Sequence, residues 1–437
     1  MYFDLALDLF PLLAAALAAV CCGLLGNFLL LRKQSMMGDA ISHSVLPGLV
    51  IAFLIASTRS PLVMLVGATI AGVVTVVLVE FVKRFGKVEP GAAMGVVFSI
   101  LFALGVLLIE KAAVRHVDLD AECVLHGQLE TLVWYSAPAT ISGLWSVETL
   151  DAIPRQIITL TIILILAIGF VSLLFKELRL ASFDPALATT LGFNSTLLHY
   201  LLMIFVAAAT VASFEAVGSI LVIAMLICPG ATARLLTDRL RTQIVLSVLI
   251  ALFTAVGGYF SATIIPGWFG RDTVNAAGSI TVFSGLVLSL TIIISPSHGI
   301  LSRMIRRIRL SSRVALDDLL ATMYRAQEQA QAEMSASDIS DAILRSKPQP
   351  LLNRAVKRAL IQRHRGMYSL TEKGQRAARS IVRRHRLWEH YLVDQAGLAP
   401  DHVHETAERL EHLPPVPPAG PQTDPQGKVI PDDPQVP

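Results

Sequence analysis

The chain has 437 residues, is 54% hydrophobic and only 16% charged, and carries a formal net charge of +3. With a mean hydropathy of +0.62, this composition excludes an ordinary soluble enzyme and a disordered chain, and it indicates a membrane protein. The mild charge says little about partners.

Uncharged apolar runs fill the first two thirds of the chain and stop near Ser297. Nine stretches approach the roughly 20 residues that a membrane span needs: about 9–31, 40–58, 60–79, 91–109, 156–175, 197–214, 216–233, 243–265 and 275–297. The pair around Glu215 could instead be one span and a half-helix, so the expectation is about eight to ten. The first run has no basic n-region and is long enough to span, which predicts a retained helix rather than a cleaved signal. Arg32, Lys33, Lys83, Arg84, Lys87, Arg234, Arg239 and Arg241 fall in loops on one side, and Arg303, Arg306, Arg307 and Arg309 continue that set. They predict an N-terminus outside and a cytoplasmic C-terminus. The long outer loop, 110–155, is acidic; His116, Cys123 and His126 within it lack tight ligand spacing. Of the four cysteines, Cys21, Cys22 and Cys228 lie in apolar runs, so no disulfide framework is expected.

The stretch SMMGDAISHSVLPG, 35–48, places Asp39 and His43 four residues apart at the start of the second span. On a helix they share a face. Ionisable groups at membrane depth mark functional sites, and this pair suits a borderline divalent metal. His199 and Glu215 read as helix partners or interfacial groups rather than ligands. The chain has no GxxxxGK[ST] run, so it does not hold a nucleotide by that loop.

From Ser311 the character becomes that of a small soluble domain. ALDDLLATMYRAQEQA and SASDISDAIL read as two helices, and PLLNRAVKRALIQRHRG as a third. RGMYSLTEKG reads as a hairpin, and RSIVRRHRLWEHYLVDQAG and PDHVHETAERLEHL as two further helices. The end, 414–437, is rich in proline and reads as disordered. The expected fold is therefore an all-α polytopic membrane domain over 1–300, with a small cytoplasmic α+β winged-helix-like domain over 314–413.

Several membrane segments together resemble the permease subunits of ABC importers for manganese, zinc and iron. They are GDAISHSVLPG (38–48), DLDAECVLHGQLE (118–130), FDPALATTLGF (183–193), VGSILVIAMLICPGATARLL (217–236) and SPSHG (295–299). The resemblance implies a metal path through Asp39 and His43. It makes 183–193 the coupling helix that docks on a separate ATPase, with Phe183, Asp184, Pro185, Ala188, Leu191 and Gly192 in that segment. It further implies an extracytoplasmic metal-binding protein, a second permease subunit and a bacterial inner-membrane location. No enzymatic activity is expected of this chain; the ATPase supplies hydrolysis.

The tail resembles the diphtheria-toxin-repressor class of metal-dependent regulators, most strongly over 383–412. On that resemblance His385, Glu389, His404, Glu408, Glu411 and His412 match metal-ligand positions, and Asp318 matches a further one. Glutamate at 408 is the manganese-type residue, a harder ligand than the cysteine of iron-responsive members. Ala321 stands where a further glutamate is expected. Manganese is favoured over zinc or iron for both domains. Pro348 and Pro350 fall in the first turn of the expected recognition helix and argue against DNA as a partner. Arg354, Lys357, Arg358, Arg363 and Arg365 could still meet nucleic-acid phosphates, and could equally face anionic membrane lipid. The alternative is a membrane-tethered metal-dependent transcriptional regulator, for which nine permease-like spans are excessive. A secondary transporter, the third option, would need no coupling segment.

Overall fold

The computed structural model describes residues 5–56, 60–113, 129–132, 134, 153–270, 274–343, 348–412 and 422–432. The segment 118–130 thus lies largely outside the described residues, as do His116, Cys123 and His126. The chain divides into two compact units, Met1–Ser302 and Arg303–Pro437.

The first unit contains α1 (Leu5–Leu31), α2 (Met37–Ala56), α3 (Pro61–Gly86), α4 (Pro90–Ala113), α5 (Arg155–Leu173), α6 (Phe175–Phe183), α7 (Pro185–Thr190), α8 (Ser195–Val217), α9 (Ser219–Leu236), α10 (Leu240–Trp268) and α11 (Ala276–Ile294). Nine of the described helices are long and apolar enough to cross a membrane, and they coincide with the nine stretches read from the sequence. Helix is the expected answer in lipid, where each backbone N–H and C=O needs an internal partner. α8 and α9 are separate helices. Gly218 breaks them with φ +82°, a conformation that costs glycine little.

α1 is central and packs against α5, α8, α9 and α10. A Cβ on Gly26 would stand 1.9 Å from the Leu226 carbonyl oxygen, so glycine is what lets α1 and α9 touch backbone to backbone. Asn27 ties α1 to α10 in the buried interior: its Nδ2 donates to Ser247 Oγ at 2.6 Å, and Gln243 Nε2 donates to its Oδ1 at 3.0 Å. α2 packs on α3 and α4, with Thr75 Oγ1 donating to Ser44 Oγ at 2.6 Å.

The second unit begins within α12 (Ile300–Glu328) and continues through β1 (Met334–Ser335), α13 (Ala336–Ala342), α14 (Gln349–Lys357), β2 (Ile361–His364), β3 (Met367–Leu370), α15 (Glu372–Asp394) and α16 (His404–Leu410). The strands form one antiparallel sheet in the order β1-β3-β2. Leu319, Ile339, Leu352, Tyr368 and Val382 are core residues of this unit. Ser335 and Asp338 form a reciprocal capping box at the start of α13.

Two sequence expectations are corrected here. The helix expected to run through PLLNRAVKRALIQRHRG stops at Lys357, and Ile361–His364 is a strand. Arg365 and Gly366 both have positive φ, 44° and 86°, which sets a tight hairpin and pulls the preceding residues into the sheet. Pro348 and Pro350 do not prevent α14: they occupy its cap and first turn, where a missing N–H is not needed. The second correction concerns 414–437. Residues 422–432 are docked on α15, and their organiser is Arg386. Its guanidinium reaches Glu328 Oε2 at 2.6 Å, Asp424 Oδ2 at 3.6 Å and the Val429 carbonyl.

Candidate metal centres

In the membrane unit, Asp39 sits in the first turn of α2 and His43 one turn on. Asp39 Oδ1 lies 3.3 Å from His43 Nε2, and both side chains are about one-third exposed. The imidazole packs against Phe98 and Phe102 of α4, with ring centroids 5.5 and 5.7 Å away. Two aromatic neighbours thus hold one wall of the ring, and the carboxylate occupies the next position along the helix face.

Glu80 of α3 is a charged group that sequence reasoning missed; its signal is a lone acid in an apolar run, three residues before Lys83. The α2–α3 pair is antiparallel through Ser44 and Thr75, so Glu80 belongs to the Asp39 end of the bundle. Its Oε1 is 2.7 Å from Lys83 Nζ and 3.3 Å from His199 Nε2. Arg32 Nη1 stands 3.1 Å from His199 Nδ1. His199 is therefore engaged by helix partners, and Glu215 is exposed near the end of α8. A cavity of about 630 Å³ opens beside this network, lined among others by Arg32, Lys33, Lys83 and Arg84.

In the second unit six of the seven tail residues singled out from sequence converge in two groups. His385 and Glu389, one turn apart on α15, meet His404 at the start of α16. Glu389 Oε1 lies 3.1 Å from His385 Nε2 and 2.8 Å from His404 Nδ1, and the two ring nitrogens are 3.0 Å apart. Asp318 of α12 meets His412 just beyond α16, Oδ1 to Nε2 at 3.2 Å, and Glu411 Oε1 lies 3.7 Å from the same nitrogen. Within each group the donor atoms lie within 4.8 Å of one another. Ligands bound about 2.0–2.2 Å from one ion stand about 3 Å apart, so both sets suit a single divalent cation. The donor chemistry, imidazole with carboxylate, fits Mn, Fe or Zn.

The remaining residue, Glu408, is exposed and belongs to neither group. It follows His404 by four positions, but the His404 ring turns to α15 while Glu408 faces solvent. Ala321 is buried in the apolar core of the unit.

Electrostatics follow from the packing. Burial pushes the Glu389 carboxyl up, but hydrogen bonds from His385 and His404 outweigh it and bring its pKa to about 2. Hydrogen bonds to Asp317 and Asp318 raise His412 to about 9 against the opposing effect of burial. His385 is raised as well: burial lowers it, and its bonds to Glu389 and Glu411 outweigh that. The metal-free groups hold protons that a cation must displace.

Residues 9–134 and 148–294 match the family described as "ABC 3 transport family". The chain belongs to the ABC 3 transport family. Residues 371–415 match a second family, "Iron dependent repressor, metal binding and dimerisation domain", which covers α15 and α16 and hence five of the six converging residues. Similar proteins include the manganese transport system membrane protein MntD of Bacillus subtilis, 38% identical over 68% of this chain and 96% of that protein. The zinc transport system membrane protein TroD of Treponema pallidum is 33% identical over 83% of this chain and 95% of its own length. PsaBC from Streptococcus pneumoniae, solved in complex with a Fab, has 26% identity and a TM-score of 0.53 over 66% of this chain and 92% of that one. The chain is thus a permease of the ABC transporter type and a multi-pass membrane protein.

Within the ABC 3 transport family match lies the short α7. Asp184 caps it by accepting from the Leu187 N–H at 3.0 Å, Pro185 opens it, and Gly192 leaves it at φ +87°. Phe183 and Leu191 are 57% and 60% exposed, with Leu187 between them also exposed. Ala188, expected on the docking side, is instead fully buried against Ala181 and Leu198 and anchors the segment. Sequence reasoning missed Leu187, although Phe183, Leu187 and Leu191 recur every four residues.

Proposed function

We propose that this chain is the translocating subunit of an ATP-driven importer for a divalent transition metal, manganese ahead of zinc or iron, and that its second unit senses the same class of ion in the cytoplasm. The observation that carries the transport reading is the Asp39–His43 pair, a carboxylate and an imidazole 3.3 Å apart on one face of a membrane helix. These are ligands for a borderline cation where an unpaired charge would be costly. The names of the manganese and zinc transport relatives support that substrate class.

The complex would contain a cytoplasmic ATPase docked on Phe183, Leu187 and Leu191, an extracytoplasmic metal-binding protein and a second permease subunit in a bacterial inner membrane. The N-terminus would lie outside and the second unit in the cytoplasm. His385, Glu389 and His404 would hold one sensed ion, and Asp318, Glu411 and His412 another. A bound ion supplies charge that draws these carboxylates and imidazoles together and expels their protons. Feedback suits an importer whose product is toxic in excess. The linkage requires that a sensed ion favour one transporter state, typically by about 1–3 kcal/mol.

The test is metal uptake into proteoliposomes holding the chain with its ATPase, with and without metal on the sensor side. ATP-dependent Mn uptake that declines as the sensor side is loaded supports the reading. No metal uptake with an assembled, ATP-hydrolysing complex sinks the transport half; uptake indifferent to the sensor side sinks the feedback half.

A further inference from the structure

α12 begins only five residues after the last span, with Ser295–Gly299 between Ile294 and Ile300. Its first part, Ile300–Arg313, has a two-faced pattern. At 3.6 residues per turn, Ile300, Leu301, Met304, Ile305 and Ile308 share an arc of about 140°. Arg303, Arg306, Arg307, Arg309 and Arg313 share the opposite arc, about 160° wide, in which Leu310 is the one apolar residue. No aspartate or glutamate occurs from Thr273 through Leu316. Both faces are uncovered by described residues: Ile300, Met304 and Ile308 are each more than half exposed, and the five arginines are exposed too.

Such a helix is costly in water, because its apolar stripe has nothing to lie on. Chain continuity selects the surface it meets. α11 is long and apolar enough to span and ends at Ile294, which would start α12 at headgroup level. Five arginines opposite the apolar arc select the sign of that surface. We propose that Ile300–Arg313 lies in the plane of the membrane surface, its apolar arc among the acyl chains and its arginines on anionic lipid headgroups. The segment is an anchor for the domain that follows it. This inference needs the membrane spans and is independent of which ion is carried or sensed.

The test uses the whole chain in lipid nanodiscs, which leave both faces open to reagents. Trypsin cleavage after Arg306 and Arg307 is followed by mass spectrometry in neutral phosphatidylcholine and with about 30% phosphatidylglycerol. The anionic discs should slow it about tenfold, with cleavage after the exposed Arg409 unchanged. In a cysteine-free background, spin labels at Met304→Cys and Ile308→Cys should be reached by oxygen and shielded from a water-soluble nickel complex. Labels at Arg306→Cys and Arg309→Cys should show the reverse. Equal cleavage in the two lipids overturns the proposal. So does labelling without helical periodicity, and so does protection that arises only when the ATPase or another protein is added. If the cysteine-free chain does not fold, cleavage of the native chain decides alone.

Discussion

Glu411 joins the two ligand groups of the second unit: its Oε2 lies 2.6 Å from His385 Nδ1, while its Oε1 faces His412. The carboxylate is buried, with Arg325 Nη2 4.0 Å away. One side chain therefore orients the imidazole of one group and offers an oxygen to the other. Glu411→Gln should weaken metal binding at both groups, about tenfold or more at each. Calorimetric titration of the purified chain with Mn checks this. A loss confined to the Asp318–His412 group would show that the bond to His385 has no bearing on its ligand strength.

Protons and metal compete at these groups. His412 is raised to about 9, so it is charged near neutrality in the metal-free protein. Binding at pH 7 should release about one proton per ion from this residue, read from the dependence of the calorimetric heat on buffer ionisation. The release should fade as pH rises past 9.

The same shifts set the stability of the metal-free second unit. A raised histidine stabilises fully below its unfolded value of 6.5, and that contribution is lost as pH rises through about 9. Glu389 is lowered to about 2, so its contribution is present above 4.5 and is lost as pH falls through about 2. Thermal unfolding of the metal-free chain, followed by the fluorescence of Trp388 in α15 with the other three tryptophans replaced by phenylalanine, should therefore shift to lower temperature between pH 6.5 and 9. Added Mn should restore it. A midpoint that rises over this interval contradicts the assignment of His412.

In the membrane unit, Asp39→Ala and His43→Ala should each abolish metal uptake while co-purification with the ATPase is preserved. Radiometal uptake into vesicles measures the first and pull-down the second. Normal uptake by both variants removes the pair from the path.

The exposed stripe of the 183–193 segment makes a positional prediction. Cysteines at Leu187 and Leu191 should cross-link to the ATPase, and one at the buried Ala188 should not. Leu191→Glu should lower ATPase association about tenfold, because it places a charge on an apolar contact. Equal cross-linking at 188 and 191 would mean that the segment leaves the bundle in the assembled transporter.

The membrane helices were readable because lipid leaves the backbone a single solution and a span has a fixed length. α7 was readable because Asp184-Pro185 and Gly192 mark both ends of a helix. What escaped sequence reasoning depends on distant contacts. Ile361–His364 carries a pattern compatible with helix, but Ala359 ends α14 with φ 53°, and the positive φ angles at Arg365 and Gly366 then fold the chain into a hairpin. Arg386 lies in an arginine-rich helix and reads as solvated, yet it is buried and fixes 422–432 in place. Glu408 satisfies the i, i+4 rule and still misses the site, because spacing fixes a helix face and not what stands opposite it.

Each ligand group of the second unit offers three side chains among the described residues, and buried Ala321 adds no fourth. Divalent transition metals take four to six ligands, so an ion held there would keep positions open to water. Open positions give an incoming ligand a place to attack the ion, a route for exchange with the surrounding pool. A closed cage would store metal and lag behind changes in supply; if these groups form the sensor proposed above, they would follow the free-ion concentration from moment to moment, as a gauge does.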